Sequence, residues 1–148
     1  MKKLCKSRLV AISGSKVLVM RKVGAALQYT LPGGIKKKHE KYTDALVRET
    51  AEEIVLSINA EELELFYTHT KSDKTTLYTK KYYYINLEPN PIAVIEKHKF
   101  LKTLWLDWRT AMIYMDKTDK LAIKTIFKSR RELEMNRVKS TIRNIKTV

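Results

Sequence analysis

The sequence is short of several residue types, and each shortage excludes a class of protein. Cys5 is the only cysteine, which excludes a disulfide framework and a cysteine-rich zinc site. No apolar run approaches the roughly 20 residues needed to span a bilayer. Residues 1–6 are basic but lack the apolar stretch of a signal peptide. These absences predict a cytoplasmic protein without a membrane-spanning segment.

Acidic residues are missing from the start of the chain. Residues 1–39 hold ten Lys or Arg and no Asp or Glu, whereas residues 40–127 hold thirteen basic and fourteen acidic side chains. Residues 128–148 add seven basic side chains against two acidic ones, so the net charge is +14. This excess predicts an anionic partner, such as nucleotide phosphates, nucleic acid or a membrane surface. The alternative explanation is solubility together with lineage composition.

The 148 residues are enough for one domain with its own hydrophobic core. Pro32-Gly33-Gly34 breaks structure sharply, and residues 43–57 are strongly helical, with Thr43 or Asp44 as the N-cap. Strands on both sides of this central helix, followed by a closing helix, predict a mixed α/β or α+β sandwich. The other predicted elements are strands at 8–12, 16–20, 28–31, 63–69, 75–87 and 100–106, a short helix capped by Asp107 and running through Met115, and a long C-terminal helix starting at Asp116 or Thr118.

Three carboxylates share one face of the predicted central helix. On a helix that advances about 100° per residue, Glu49, Glu52 and Glu53 lie within an arc of roughly 100°. The opposite side is apolar and carries Val47, Ala51, Ile54 and Ile58. Because neighbouring like charges repel, such a cluster is typical of a site for hard divalent cations with oxygen ligands. The alternative is a solvated acidic helix face.

The segment around these carboxylates resembles the sequence box of the Nudix (MutT-like) hydrolase family. That box reads Gly, five residues, Glu, seven residues, Arg-Glu, two residues, Glu-Glu, one residue, Gly and an aliphatic residue. The residues that match it at this spacing are Gly34, Glu40, Arg48, Glu49, Glu52, Glu53 and Leu56.

Three positions depart from the family pattern. Val55 stands where the box has its second glycine, Thr50 stands where an aliphatic residue is usual, and His39 stands where glycine is frequent. Because a left-handed helix exit is costly for Val, we expect the helix to run on or to end differently.

The resemblance implies a fold, a reaction and a metal. The fold would be an α/β/α sandwich with a mixed central sheet and a long C-terminal helix. It would form a single hydrolase domain at 1–148, with 128–148 as a basic helical extension. The reaction would be attack of metal-activated water on phosphorus, which splits the pyrophosphate link of a nucleoside diphosphate joined to another moiety. The expected cofactor is Mg²⁺ or Mn²⁺, and no membrane partner is expected.

The resemblance also assigns roles to individual residues. Arg48 would orient Glu49 or Glu40 through charged hydrogen bonds, and Glu40 would brace the loop before the helix. A later carboxylate is expected to complete the metal site, and Glu96 is the preferred candidate. Asp107 is the second candidate, although a helix-capping role would explain the presence of Asp107 equally well. The implied metal ligands are the Gly33 carbonyl, Glu49, Glu52, Glu53 and Glu96, and the implied catalytic residues are Arg48, Glu49, Glu52 and Glu53.

Candidate substrate contacts lie on both sides of the helix. Lys36, Lys37 and Lys38 stand between the glycines and the helix, where one or more could reach phosphates, although a solvated charge run explains them as well. Tyr83 is the candidate for stacking on a base, with packing as its alternative. The basic ends of the chain could also steer a polyphosphate toward the acidic helix.

The end of the chain carries a helical apolar stripe made of Met135, Val138, Ile142 and Ile145. This stripe could fold back on the domain, form a homodimer, or present the neighbouring cations to RNA.

Two alternatives to the enzyme stay open. One is a Nudix-fold module, weak or inactive in catalysis, that binds nucleotides or RNA. The other is an interaction protein with a merely acidic helix.

Overall fold

A computed structural model describes residues 1–146; Thr147 and Val148, which end the predicted C-terminal extension, lie outside the described residues. The strands within 1–146 are β1 (Lys2–Ser13), β2 (Lys16–Lys22), β3 (Tyr29–Thr30), β4 (Gly33–Ile35), β5 (Glu64–Ser72), β6 (Thr76–Asn86) and β7 (Phe100–Asp107). The helices are α1 (Tyr42–Glu53), α2 (Trp108–Met112) and α3 (Lys117–Lys146), and one 3₁₀ turn spans Ala60–Glu62.

The strands form one mixed sheet. Its path runs β3-β2-β1-β6-β5, with β4 paired to β1 and β7 paired to β2. The long pairing of β1 with β6 is parallel, and the other strand pairs are antiparallel. A parallel neighbour requires a crossover connection, and the segment between β1 and β6 that contains α1 supplies it.

The β1–β2 hairpin opens to admit the glycine segment. The two strands pair only at Ile12 and Ser13, next to the turn. Farther from the turn, β3 pairs with β2 and β4 pairs with β1, which brings Gly33 opposite Arg8. The segment that follows Leu31 is therefore held in the sheet itself, and it carries the glycines to the edge of α1.

The sheet divides the hydrophobic core into two layers because successive strand side chains point to opposite faces. Leu9 and Ala11 of β1 pack in the layer that contains Leu46 of α1. Val10 and Ile12 pack in the other layer, with residues of α2 and α3 that include Ile123. The predicted α/β/α sandwich with a mixed sheet and a long C-terminal helix is confirmed.

Helix α1 starts and ends at residues other than those predicted. Its N-cap is Lys41, which forms no side-chain capping bond, so the expectation of Thr43 or Asp44 is wrong. The helix ends at Glu53 because Ile54 turns into extended backbone and bridges to Val94. Tertiary pairing with the loop before β7 therefore ends the helix four residues earlier than its local sequence predicts.

Val55 replaces the glycine of the family box without backbone strain. Its amide donates to the Ala93 carbonyl at 2.8 Å, and no non-glycine residue within 1–146 has a positive φ. The helix thus ends by joining a β-bridge, and no left-handed residue is needed there.

We expect Val55→Gly to lower the free energy of unfolding by about 0.5–1 kcal/mol, because glycine adds freedom to the unfolded chain and no described φ requires it. Chemical denaturation monitored by the fluorescence of Trp105 and Trp108 measures the change. Higher stability in this variant would show that the position does favour a left-handed backbone.

Helix α3 is continuous from Lys117 through Lys146. Asp116 caps its start by accepting a hydrogen bond from the Asp119 amide at 2.9 Å. Of the two predicted starts, Asp116 and Thr118, the structure therefore favours Asp116. The stripe of Met135, Val138 and Ile142 stays exposed and does not fold back on the domain. No helix within residues 1–146 is long and apolar enough to cross a membrane.

Candidate active site

Two adjacent glycines bring β4 against α1. Gly33 has φ +136°, and a Cβ there would collide with the Ser7 carbonyl oxygen. At Gly34 a Cβ would stand 2.5 Å from the carboxyl carbon of Glu49. Gly33 therefore requires the absence of a side chain, because of its backbone geometry and the Ser7 carbonyl. At Gly34 a side chain would displace the Glu49 carboxylate from its position.

Glu53 is the buried carboxylate of the site. Its side chain accepts a 2.7 Å hydrogen bond from the Gly33 amide, and the residue is 5% exposed. Burial raises the pKa of Glu53 to about 7, although the Gly33 amide and the Arg8 charge oppose the rise. The charges of Glu49 and Glu96 raise this pKa further. Burial and the two neighbouring carboxylates thus outweigh the Gly33 amide and the Arg8 charge at Glu53.

Arg48 ties the loop before α1 to the helix carboxylates. Its Nε and Nη2 donate to the two Glu40 oxygens at 2.8 Å each, and its Nη1 donates to Glu49 at 3.0 Å. The paired bonds from Arg48 hold the pKa of Glu40 at about 2. Glu40 also accepts from the Lys37 amide at 2.8 Å. This is the geometry of an orienting arginine and a loop-bracing glutamate, the roles that the family resemblance implies.

A cleft of about 560 Å³ opens over Gly33, Gly34, Glu49 and Glu53. Its opposite walls are cationic and come from three separate parts of the chain. The sequence analysis named none of these residues as site residues. Strand alternation would have shown only that Lys6 and Arg8 point to the same face of β1 as Val10. The basic side chains that line the cleft are Lys6, Arg8, Lys22, His98 and Lys99.

The remaining carboxylate candidates have different positions. The Glu52 side chain is 53% exposed and lies 3.3 Å from Arg48. The Glu96 amide donates to the Glu53 carbonyl at 3.2 Å, which places Glu96 beside the helix end. Asp107 lies at the far end of β7, opposite Lys16, and it caps α2 by accepting from the Arg109 amide. The structure therefore excludes Asp107 from the site and leaves Glu96 near it.

The expected substrate contacts do not line the cleft. Lys36 donates its ammonium protons to loop carbonyls, including that of Glu40 at 3.0 Å, so it stabilises the loop. Lys37 and Lys38 are absent from the lining residues as well. Tyr83 is 7% exposed and packs in the α1-side core, which leaves no ring face for a base. The packing alternative fits Tyr83 because strand alternation turns it toward α1.

The Gly33 carbonyl also has a different partner from the one expected. It accepts a hydrogen bond from Nη1 of Arg8 at 3.2 Å, and the same nitrogen donates to the Leu31 carbonyl at 3.1 Å. Gly33 contacts Glu53 through its amide instead. A metal ion on this carbonyl would have to share it with the guanidinium.

Comparison with known proteins identifies the family. The NUDIX domain model matches residues 4–125, which is most of the chain. The chain belongs to the NUDIX domain family. No curated protein matches this Nudix sequence.

Solved structures with the same fold include two proteins named as enzymes and one whose title names no activity. The solution structure of the E. coli ORF135 protein has a TM-score of 0.69 at 17% identity, with 88% of this chain and 92% of the other covered. A C. elegans Ap4A hydrolase binary complex has a TM-score of 0.66 at 20% identity, with 87% and 98% covered. The E. coli dihydroneopterin triphosphate pyrophosphohydrolase has a TM-score of 0.67 at 20% identity, with 81% and 92% covered.

Nudix enzymes generally use a divalent metal, for which this chain offers carboxylate donors at the end of α1 and in the loop beside it. Within residues 1–146, no three Asp, Glu, His or Cys side chains converge, as they stand, on one ion position. The chemistry of the donors nevertheless fits a hard cation, because Glu49, Glu53 and Glu96 all offer carboxylate oxygens, and the charges of Glu49 and Glu96 add to the raised pKa of Glu53. A bound divalent cation would lower the pKa of Glu53.

Without metal, we expect Glu53 to make the fold less stable as pH rises. Its folded pKa of about 7 exceeds the ordinary 4.5, so the folded state binds the proton more tightly. Stability is then lost between about pH 4.5 and 7, by about 3 kcal/mol in full. In a chelator, Glu53→Gln should therefore gain stability relative to the wild type between pH 4.5 and 8.

Urea denaturation at several pH values measures this difference. Glu61→Gln is the matched control, since Glu61 is an exposed carboxylate in the 3₁₀ turn. It should follow the wild-type pH dependence. Parallel pH curves for Glu53→Gln and wild type would show that Glu53 ionises normally in the fold.

Proposed function

We propose that this Nudix protein hydrolyses a pyrophosphate bond in a nucleoside diphosphate linked to another moiety, with Mg²⁺ or Mn²⁺ as cofactor. The observation that carries the proposal is the pairing of opposite charges across one cleft. Buried Glu53 and its neighbour Glu49 form one wall, and Lys6, Arg8 and Lys22 form another. Substrate phosphates suit the cationic wall, and the metal suits the acidic one.

The cationic wall would bind and orient the phosphates. Lys6 is partly buried, and burial, Arg8 and Lys80 lower its pKa. A phosphate beside Lys6 would reverse that effect by stabilising the ammonium form. Arg8 is already fixed by its bonds to the Leu31 and Gly33 carbonyls, so its remaining guanidinium surface is positioned before substrate arrives.

The acidic wall would hold the metal and manage the proton of the attacking water. Glu49, Glu52, Glu53 and Glu96 are the proposed ligands. A divalent cation there supplies charge neutralisation of the phosphates and a lower pKa for water. Arg48 keeps Glu49 in place through its 3.0 Å bond, so Glu49 is the side chain whose carboxylate can accept a water proton in a fixed position.

The names of related structures support this substrate class. One is described as an Ap4A hydrolase and another as a dihydroneopterin triphosphate pyrophosphohydrolase, and both names denote phosphoanhydride substrates. The identity of 20% in each case shows only a shared fold. We therefore propose the bond type for this chain and leave the nucleotide to a substrate screen.

We expect Glu53→Gln to reduce kcat by at least about 100-fold in a hydrolysis screen with Mg²⁺, because the buried ligand and its charge are both lost. The screen covers nucleoside triphosphates, dinucleoside polyphosphates, nucleotide sugars and capped RNA, with phosphate or pyrophosphate release as readout. Glu61→Gln should keep wild-type turnover. Near-normal turnover in Glu53→Gln would refute the assignment.

A binding module is the alternative function, and calorimetry separates it from the enzyme. If the wild type binds nucleotides and Mn²⁺ but releases no phosphate from any substrate, the module is favoured. If Mn²⁺ does not bind at all, or binds equally well to Glu53→Gln, the acidic helix is merely a solvated surface. RNA as a substrate and a homodimer through the exposed stripe of α3 also stay proposals.

Exposed Lys22 gives a separate test of the cationic wall. We expect Lys22→Gln to raise KM about twofold to fivefold and to weaken the salt dependence of kcat/KM, because one exposed charge near phosphates contributes modestly. Lys124→Gln removes an exposed charge from α3, away from the cleft and from its lining residues, and should leave KM unchanged. Equal effects of the two variants would mean that only the net charge matters.

A further inference from the structure

Half of the arginines in the chain meet at a second cavity, far from the catalytic cleft. The chain has eight arginines, and four of them line a cavity of about 660 Å³ between the β1–β2 turn, α2 and the middle of α3. This arginine cavity shares no lining residue with the cleft. Its Gly14–Ser15 wall adjoins the start of β2, whereas Lys22 ends that strand roughly 20 Å away. The four arginines are Arg109, Arg130, Arg131 and Arg137.

The cavity has a large positive excess. Glu134 is the one acidic residue among its lining residues within 1–146, and it lies 3.6 Å from Arg137. Arg130 donates to the Asn86 side chain at 3.2 Å, which fixes it at the cavity wall. Arg131 is exposed to solvent. Planar guanidinium groups bind phosphates through two parallel hydrogen bonds, so this wall suits a phosphate chain.

The floor of the cavity is a stack of flat groups. Trp108 and Phe127 stack with ring centroids 5.2 Å apart and an interplanar angle of 7°. The Arg109 guanidinium carbon lies 4.6 Å from the Trp108 ring centroid, and its side chain is largely exposed. The indole thus has Phe127 stacked on it and the Arg109 guanidinium over its ring. Arg109 also lies 3.8 Å from Asp107, and its exposed guanidinium offers a planar surface to solvent. A nucleobase can stack on such a surface.

We propose that the arginine cavity binds single-stranded nucleic acid, with phosphates on Arg131 and Arg137 and a base stacked on Arg109. A duplex fits less well because its bases are already stacked on one another. An acidic peptide would use the positive charges and would gain nothing from the stack. Lysines and arginines continue along α3 beyond the cavity, at Lys139 and Arg143, so a strand has a cationic surface to follow. This proposal is independent of the hydrolysis proposed above.

Fluorescence anisotropy with a labelled 5′-hydroxyl oligouridylate of about 12 nucleotides tests the proposal. The full chain is used in a chelator, so that the catalytic cleft holds no metal and the probe offers no pyrophosphate bond. Arg131→Ala with Arg137→Ala should weaken binding about tenfold or more, because two charged hydrogen bonds are lost. The slope of log affinity against log salt should become shallower by about 1.4, since each phosphate contact on a single strand contributes about 0.7.

Matched charge loss on the same helix is the control. Lys124→Ala with Lys128→Ala removes two exposed cations from α3 that do not line the cavity. Alanine favours helix in both double variants, so both should fold. The control should stay within about twofold of wild type, because nearby charge contributes only a screened attraction. Equal losses in the two double variants would overturn the proposal in favour of diffuse attraction.

Arg109→Lys tests the base contact, because it keeps the charge and removes the planar stack. It should weaken oligouridylate binding about fivefold and leave inorganic polyphosphate binding unchanged. A parallel loss for both ligands would overturn the stacking assignment. Comparison with oligothymidylate distinguishes RNA from DNA, and either result supports single-strand binding. The proposal is refuted if wild type does not bind the oligonucleotide at low salt, if a duplex binds more tightly, or if polyglutamate competes equally well.

Discussion

The hydrogen bond from the Gly33 amide to the buried Glu53 carboxylate is the contact on which the rest of the site depends. It joins the first residue of β4 to the last residue of α1. It requires glycine at 33, since the backbone there has φ +136° and no space for a Cβ. It also keeps an ionisable group in a poorly hydrated position, so that the pKa of Glu53 rises to about 7. The fold thus maintains a group that costs stability when charged, which is typical of functional sites.

Around that bond, opposite charges are sorted onto different elements. The carboxylates lie on α1 and on the loop that adjoins its end, where the Glu96 amide donates to the Glu53 carbonyl. The cations come from β1, β2 and the segment before β7. Arg48 is the exception, because it pairs with the carboxylates themselves and so limits their mutual repulsion. Open cationic walls remain for phosphates, and the middle of α3 forms a separate arginine-rich surface.

Much of this arrangement is predictable from local patterns. The spacing of Glu49, Glu52 and Glu53 indicates one carboxylate face, and alternation in β1 indicates two buried layers. Partners that are distant in sequence are not predictable in this way. The end of α1 at Glu53 depends on a bridge to Val94, and the positions of Tyr83 and Asp107 depend on which face or end of the sheet each reaches. The carbonyl of Gly33 likewise binds Arg8 because β4 pairs with β1.

The sequence by itself determined the family, the layered fold and the carboxylate helix, because these follow from spacing along one chain segment. Only the tertiary structure decided which charges share a cleft. Lys6, Lys22 and Lys99 are far apart in the chain, and strand pairing brings them together opposite Glu53. The tertiary structure also places the four arginines of the arginine cavity, which lie on α2 and α3, away from that cleft. Electrostatic interactions depend on distance in space, and strand register and helix packing set those distances.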